Sequence, residues 1–249
     1  MLEFLLLAGA GLAAGALNAV AGGGTFLTFP VLVWLGVPPI SANATATLTA
    51  LPGYLGSAWG YRHDLHAEGS LGLRAILLVA AFGAMAGALL LLVTPGDVFR
   101  GLVPWLLLAA TALFAAGPRL LAALASRGVG QAGPGLSVLG ILAVSVYGGY
   151  FNGGLGIMLL AMFGLLGHTD LHAMNGLKNV LSALLSLLSA ATFVVAGLIA
   201  WQPALVLAIA TAIGGWLGAR SSRRIRRTDL LRLFVVAVGA LMTVAFFLL

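Results

Sequence analysis

The sequence predicts an all-α polytopic membrane protein built from two inverted-topology repeats of about five helical elements each, with short or broken helices after Gly-rich turns. Three observations predict it. First, the 249 residues are 61% hydrophobic and only 7% charged, with a mean hydropathy of +1.13, whereas a soluble domain carries about 25% charged residues. Second, a shift of 131 positions lays Gly22, Gly23, Leu35, Gly36, Ala42, Gly83, Gly87 and Ala88 onto Gly153, Gly154, Leu166, Gly167, Ala173, Gly214, Gly218 and Ala219. One further single-residue slip pairs Asp97 and Arg100 with Asp229 and Arg232. Third, equivalent loops of the two halves carry opposite charge bias. Halves duplicated in this way, and interrupted by glycine at matching places, are the pattern of secondary transporters with a midplane substrate site.

The elements follow from apolar runs and their breakers. In the first half they run about Phe4 to Ala21, Thr25 to Leu35, Ile40 to Trp59, Leu71 to Val93 and Val98 to Leu124. The first lacks a basic leading segment and a small-residue cleavage site, and reads as a retained helix, not a signal peptide. The second is short: about 11 residues at 1.5 Å each reach about 17 Å, roughly half of a hydrocarbon core. In the second half the elements run about Leu136 to Phe151, Gly156 to Leu166, Leu171 to Ala200, Pro203 to Ala219 and Leu230 to Leu249, again with a short second member. Residues 1–127 thus form one membrane repeat, 128–134 a Gly-rich linker ending in Pro134, and 135–249 the other repeat, within one integral membrane domain. Gly83 with Gly87, and Gly214 with Gly218, carry GxxxG spacing, suited to close helix contact within the chain or in a homodimer.

Basic residues in short loops stay cytoplasmic. Arg220, Arg223, Arg224, Arg226, Arg227 and Arg232 crowd one loop, which is therefore expected inside, together with the Arg62 and Arg74 loop and the linker with Arg119 and Arg127. The repeat counterparts, Gly197 to Gln202 and Thr94 to Asp97, carry no base. The halves are accordingly expected upside down relative to each other, with both termini outward. An even number of crossings must join the linker to the Arg220 loop, so the first two elements of a half both cross or together form a re-entrant hairpin.

Two polar features interrupt the lipid-compatible sequence in each half. The first is the break, Asn18 to Thr25 with Gly22, Gly23 and Gly24, and Asn152, Gly153, Gly154 and Gly156 in the second half. Unpaired N–H groups in lipid cost several kcal/mol each, so such breaks belong in buried protein or beside a polar cavity. They read either as tight packing turns or as donors that aim positive helix ends at an anion. The second feature is a polar helix start: Asn43, Thr45 and Thr47, with Ser41 and Thr49, and later Asn175, Lys178 and Asn179. Lys178 is the only lysine beside eleven arginines. An ammonium in an apolar segment is a functional-site hypothesis by default. Counting back from Trp201 also puts it near the inner edge, where it would snorkel. His168, Asp170 and His172 read as a solvated loop with Thr169 or Asp170 as helix N-cap, and His63, Asp64, His66 and Glu68 as another loop without metal-ligand geometry.

Taken in order, Ala14 to Pro30, Leu35 to Pro39 with Ala42 to Thr45, Leu51 to Gly53 with Trp59 to Arg62, Tyr147 to Phe151 with Gly154 to Gly156, and Met174 to Asn179 with Gly197 and Trp201 resemble the TauE/SafE family. These are sulfite-exporter-like transporters of bacterial inner membranes. The resemblance covers nearly the whole chain and implies movement of a small sulfur-containing or organic anion, with the glycine breaks and polar helix starts near its path. The second break departs from a full glycine run, being Gly-Gly-Leu-Gly, so the two breaks need not be equivalent.

The expected function is alternating-access transport of a small anion such as sulfite, a sulfonate or a carboxylate across the bacterial inner membrane. Its expected contacts are Asn18, Gly22, Gly23, Gly24, Thr25, Asn43, Thr45, Thr47, Asn152, Gly153, Gly154, Gly156, Asn175, Lys178 and Asn179. An anion channel is the nearest alternative. An intramembrane enzyme is disfavoured because the apolar segments hold no paired acids and no Ser, His and acid together. No cofactor, metal or nucleic acid is expected; the expected partners are the substrate anion and the bilayer, with a homodimer left open. With no P-loop, the chain is not by itself an ATP-driven pump.

Overall fold

The computed structural model describes residues 1–20, 22–62, 70–126, 133–168, 170–222 and 228–248. Among them the chain forms ten helices and no strand. They are α1 (Leu2–Val20), α2 (Thr25–Trp34), α3 (Pro39–Gly60), α4 (Leu73–Val93), α5 (Gly96–Ser126), α6 (Pro134–Tyr150), α7 (Leu155–Leu165), α8 (Leu171–Val195), α9 (Trp201–Ser222) and α10 (Thr228–Leu248). The all-helical class and the ten elements agree with the sequence reading. The His63 to Glu68 loop, most of the linker, Thr169 and the arginines 223, 224, 226 and 227 lie outside the described residues.

Five helices are long and apolar enough to cross a bilayer, within Leu2–Ala19, Leu73–Val93, Gly96–Leu113, Ala173–Val195 and Trp201–Gly218. Helix α3 has the length but carries its polar start. Helices α2 and α7, of 10 and 11 residues, each reach only about half of a ~30 Å hydrocarbon core. Outward faces are apolar: Leu78, Phe82, Leu205 and Ile209 are exposed, as are all five tryptophans. This is an integral membrane protein, with lipid as the solvent for those faces.

Three helix ends are closed by the same device. Gly36, Gly167 and Gly197 adopt positive φ, and the following N–H groups of Val37, His168 and Leu198 bond back five residues to Leu32, Phe163 and Phe193. A left-handed residue here is natural for glycine and unfavourable for other residues. The third cap corrects an expectation: α8 ends at Val195, not near Ala200. Gly36 and Gly167 are duplicated partners, so both short helices end alike.

The principal helix contacts come in pairs related by exchange of the halves. Helix α1 lies on α9 as α6 lies on α4; α3 lies on α9 as α8 lies on α4; α3 meets α8 and α5 meets α10. Small residues make these seams. A methyl added at Gly83 would come 2.7 Å from Ser145 Cβ on α6, and one at Gly218 would come 2.7 Å from Ala16 Cα on α1. Both GxxxG pairs therefore serve packing within the chain.

Candidate functional site

The two breaks meet at the centre of the bundle. Gly22 takes positive φ, and its N–H bonds Leu17 O at 3.0 Å. The Gly24 N–H donates to Asn18 Oδ1 at 2.7 Å, so the buried carboxamide of α1 folds the break back on its own helix. In the second half Gly154 is the left-handed residue, at φ 72°, and α7 begins at once. The glycines approach backbone to backbone. A methyl at Gly22 would come 2.7 Å from Gly156 Cα, and one at Gly156 would come 2.6 Å from Gly22 Cα. The Thr25 hydroxyl donates to Asn152 O at 2.9 Å and ties the start of α2 to the second break.

Asn152 is the hub of that junction. Its carboxamide Nδ2 donates to Ser186 Oγ on α8 at 2.8 Å, while Oδ1 accepts from the Tyr54 hydroxyl of α3 at 3.3 Å. The Tyr147 hydroxyl donates to Gly153 O at 2.6 Å. Phe151 packs edge-on against Phe29, with ring centroids 5.7 Å apart, and closes the apolar side. Asn18, residues 22–25 and residues 150–156 are all buried.

The polar start of α3 is also built inward. Asn43 Nδ2 donates to Tyr150 O at 2.9 Å, just before the second break. The Thr47 hydroxyl returns to Asn43 O, and Thr45 Oγ1 accepts the Ala200 N–H at 3.0 Å. Thr49 donates to Ala46 O, and Thr211 of α9 donates to Thr49 O. Asn43 Nδ2 and the hydroxyls of Thr45, Thr47 and Thr49 thus each have a partner in the protein.

The equivalent start of α8 differs. Asp170 caps the helix, accepting the Ala173 N–H at 3.3 Å, as the sequence predicts for Thr169 or Asp170. His168, expected in a solvated loop, is instead buried beside Phe163, with ring centroids 5.1 Å apart. Lys178 has no exposed surface, and its ammonium donates to the neutral Asn175 Oδ1 at 3.1 Å. It does not snorkel to water in this conformation. Asn179 is equally buried, and neither end of its carboxamide has a partner among the described residues. Nor do the Ser182 and Ser189 hydroxyls, farther along α8.

Of the residues singled out from sequence, the structure joins Gly22, Thr25, Asn152 and Gly156 directly, with Asn18 and Gly24 supporting one side and Asn43 the other. Thr45 and Thr47 belong to the α3 hydrogen-bond chain, and Asn175, Lys178 and Asn179 lie one after another on α8. Sequence reasoning missed Tyr54, Tyr147 and Ser186, which hold the second break. It also missed Ser182 and Ser189. The serines carried a legible signal, a repeat of polar residues along α8, and Tyr147 lay in the Tyr147 to Phe151 motif; Tyr54 carried none, since only the fold brings it to the break.

The family model for the sulfite exporter TauE/SafE matches residues 7–246. The chain belongs to the TauE/SafE family. Among similar proteins, a probable membrane transporter protein of Haemophilus influenzae is 32% identical over 239 residues, 94% of this chain and 90% of its own length. The probable membrane transporter protein YfcA of Escherichia coli K12 is 27% identical over 233 residues, 92% of this chain and 84% of its own. A Sinorhizobium protein, probable membrane transporter protein ORF9, is 34% identical over 120 residues, 48% of this chain. This TauE/SafE protein is thus a member of a membrane-transporter family, and the exchange-related packing described above is the architecture in which it carries the family's sequence.

Proposed function

We propose that this protein is a secondary transporter that moves a small anion, sulfite or another sulfur-containing or organic anion such as a sulfonate or carboxylate, across the bacterial inner membrane by alternating access. The observation that carries the reading is Lys178: a fully buried ammonium whose hydrogen-bond partner is a carboxamide, with no carboxylate paired to it among the described residues. An uncompensated charge in a membrane interior is costly. A transported anion supplies the missing charge and leaves again, which a fixed carboxylate would not do.

The two repeats, 1–127 and 135–249, would be inverted halves that rock about the junction of Gly22, Thr25, Asn152 and Gly156. Close glycine contact suits a fulcrum, because backbone packed on backbone has few side chains to rearrange. Gly23, Gly24, Gly153 and Gly154 would shape the waist, with Asn18, Asn43, Thr45 and Thr47 holding it on the first-half side. Asn175, Lys178 and Asn179 would face the anion. Two neutral carboxamides and one cation suit an oxyanion that must be released, since excess fixed charge would trap it. No catalysis is assigned.

Proteoliposomes loaded with unlabelled anion and given radiolabelled sulfite, sulfonates or carboxylates outside test this reading. Saturable uptake stimulated by internal substrate, and lost in folded Lys178→Ala, is the expected result. Conductance without such counter-flow would make the protein a channel. No movement of any anion by the folded wild type would reject the reading.

A further inference from the structure

Helix α8 presents one polar face turned away from solvent. Asn175, Asn179, Ser182, Ser186 and Ser189 follow one another at spacings of four, three, four and three, so they form a single stripe. At 1.5 Å per residue the stripe is about 21 Å long, most of a ~30 Å hydrocarbon core. Except for half-buried Asn175, all its members are fully buried. The adjacent face, Leu177, Leu181 and Leu185, packs into an apolar cluster, while Leu187 faces outward.

The stripe holds two of the buried hydroxyls that lack a partner, the others among the described residues being those of Thr28, Thr111 and Ser145, and it holds the one such carboxamide, Asn179. Buried or half-buried hydroxyls within helices commonly satisfy themselves by donating to the carbonyl four residues back. Thr47, Ser57, Thr192 and Thr243 all do so here. Ser182 and Ser189 do not, and Asn179 has neither donor nor acceptor paired. A buried carboxamide without partners is a large cost. Small size for close packing would account for a serine; it does not account for Asn179. Ser186, between the unpaired serines, accepts the Asn152 Nδ2–H at 2.8 Å and so joins the stripe to the break junction.

The geometry points to the α8 stripe as the ligand-contacting wall of the translocation path, with Asn179, Ser182 and Ser189 as successive hydrogen-bonding stations for an oxyanion that first meets Lys178. This rests on the anion-transport reading and deepens it: the path runs along one helix of the second half, past the junction, and is lined by neutral donors. The Ser186 to Asn152 bond would break and re-form as the ligand passes.

The chain contains no cysteine, so single thiols can be placed in an otherwise thiol-free protein. Ser182→Cys and Ser189→Cys are near-isosteric, and Leu187→Cys on the outward face and Ser57→Cys at a self-bonded site serve as controls. Each purified, monodisperse variant in lipid vesicles is treated with the anionic reagent sulfonatoethyl methanethiosulfonate and, separately, its cationic trimethylammonium analogue. Thiol modification needs the thiolate, which forms only where water reaches. The expected result is modification of Ser182→Cys and Ser189→Cys by the anionic reagent at least an order of magnitude faster than of either control. No modification by either reagent overturns the α8 path and leaves anion transport, measured as wild-type uptake, standing by itself. Modification by the cationic reagent alone overturns the oxyanion assignment and the transport reading with it.

Discussion

The starts of α3 and α8 occupy equivalent places in the two halves and are finished in opposite ways. At α3 the asparagine and the three threonines are engaged: Asn43 holds Tyr150 O, Thr47 returns to Asn43, Thr45 accepts Ala200, and Thr49 is bonded on both its hydroxyl and its carbonyl. At α8 a buried ammonium leans on a neutral carboxamide, and Asn179, Ser182 and Ser189 lack partners among the described residues. Helices with exchange-related packing can therefore differ in their polar residues, those at one start being paired and several at the other not.

The largest effect is expected at the contact both halves share. Gly22→Leu puts a side chain against Gly156 at a residue with φ 77°, combining a left-handed cost of about 1–2 kcal/mol with overpacking of about 1–3 kcal/mol. Loss of monodisperse protein in size-exclusion chromatography is the outcome; a folded Gly22→Leu would break the picture of a sealed junction. Next, Lys178→Met removes the uncompensated charge at similar volume. Uptake falls by a factor on the order of 100, equivalent to about 2.7 kcal/mol of lost interaction in the rate. The apparent Tm stays level or rises, since replacing a buried charge by an apolar side chain is commonly neutral or stabilising. A lower Tm with uptake retained would make Lys178 structural.

A finer test sets the two asparagines against each other. Asn43→Ala leaves Tyr150 O without its donor and costs about 1–3 kcal/mol, whereas Asn179→Leu, which removes an unpaired carboxamide, leaves thermal stability unchanged or raised. Equal destabilisation by both would erase the difference between the halves. The smallest effect belongs to Ser57→Ala. It deletes a self-contained bond to Gly53 O, worth less than about 1 kcal/mol, and leaves uptake within twofold of wild type.

Much of this was legible because it follows from solvent and covalent geometry. Lipid demands apolar helices, so composition alone required an all-helical chain, and the glycine breaks and polar helix starts could be located in one pass. The extent of α8 differs from the sequence reading by a few residues because the apolar run continues to Ala200, while the chain leaves the helix at the left-handed Gly197, the residue that opens the uncharged Gly197 to Gln202 loop. His168 was misjudged because a polar residue in a loop reads as solvated, yet the chain turns there against Phe163.

The amino-acid sequence by itself determined the helical class, the two breaks and the family, since each depends on residue type and spacing along the chain. Only the tertiary structure decided that Gly22 meets Gly156, that Asn152 gathers Tyr54 and Ser186, and that Lys178 is enclosed instead of reaching water. It alone separated the satisfied polar groups of α3 from the unsatisfied ones of α8. The physical reason is that whether a buried polar group is paired depends on which partner the fold brings within about 3 Å, and those partners come from across the chain, from residues as far apart as Thr25 and Asn152 or Asn43 and Tyr150.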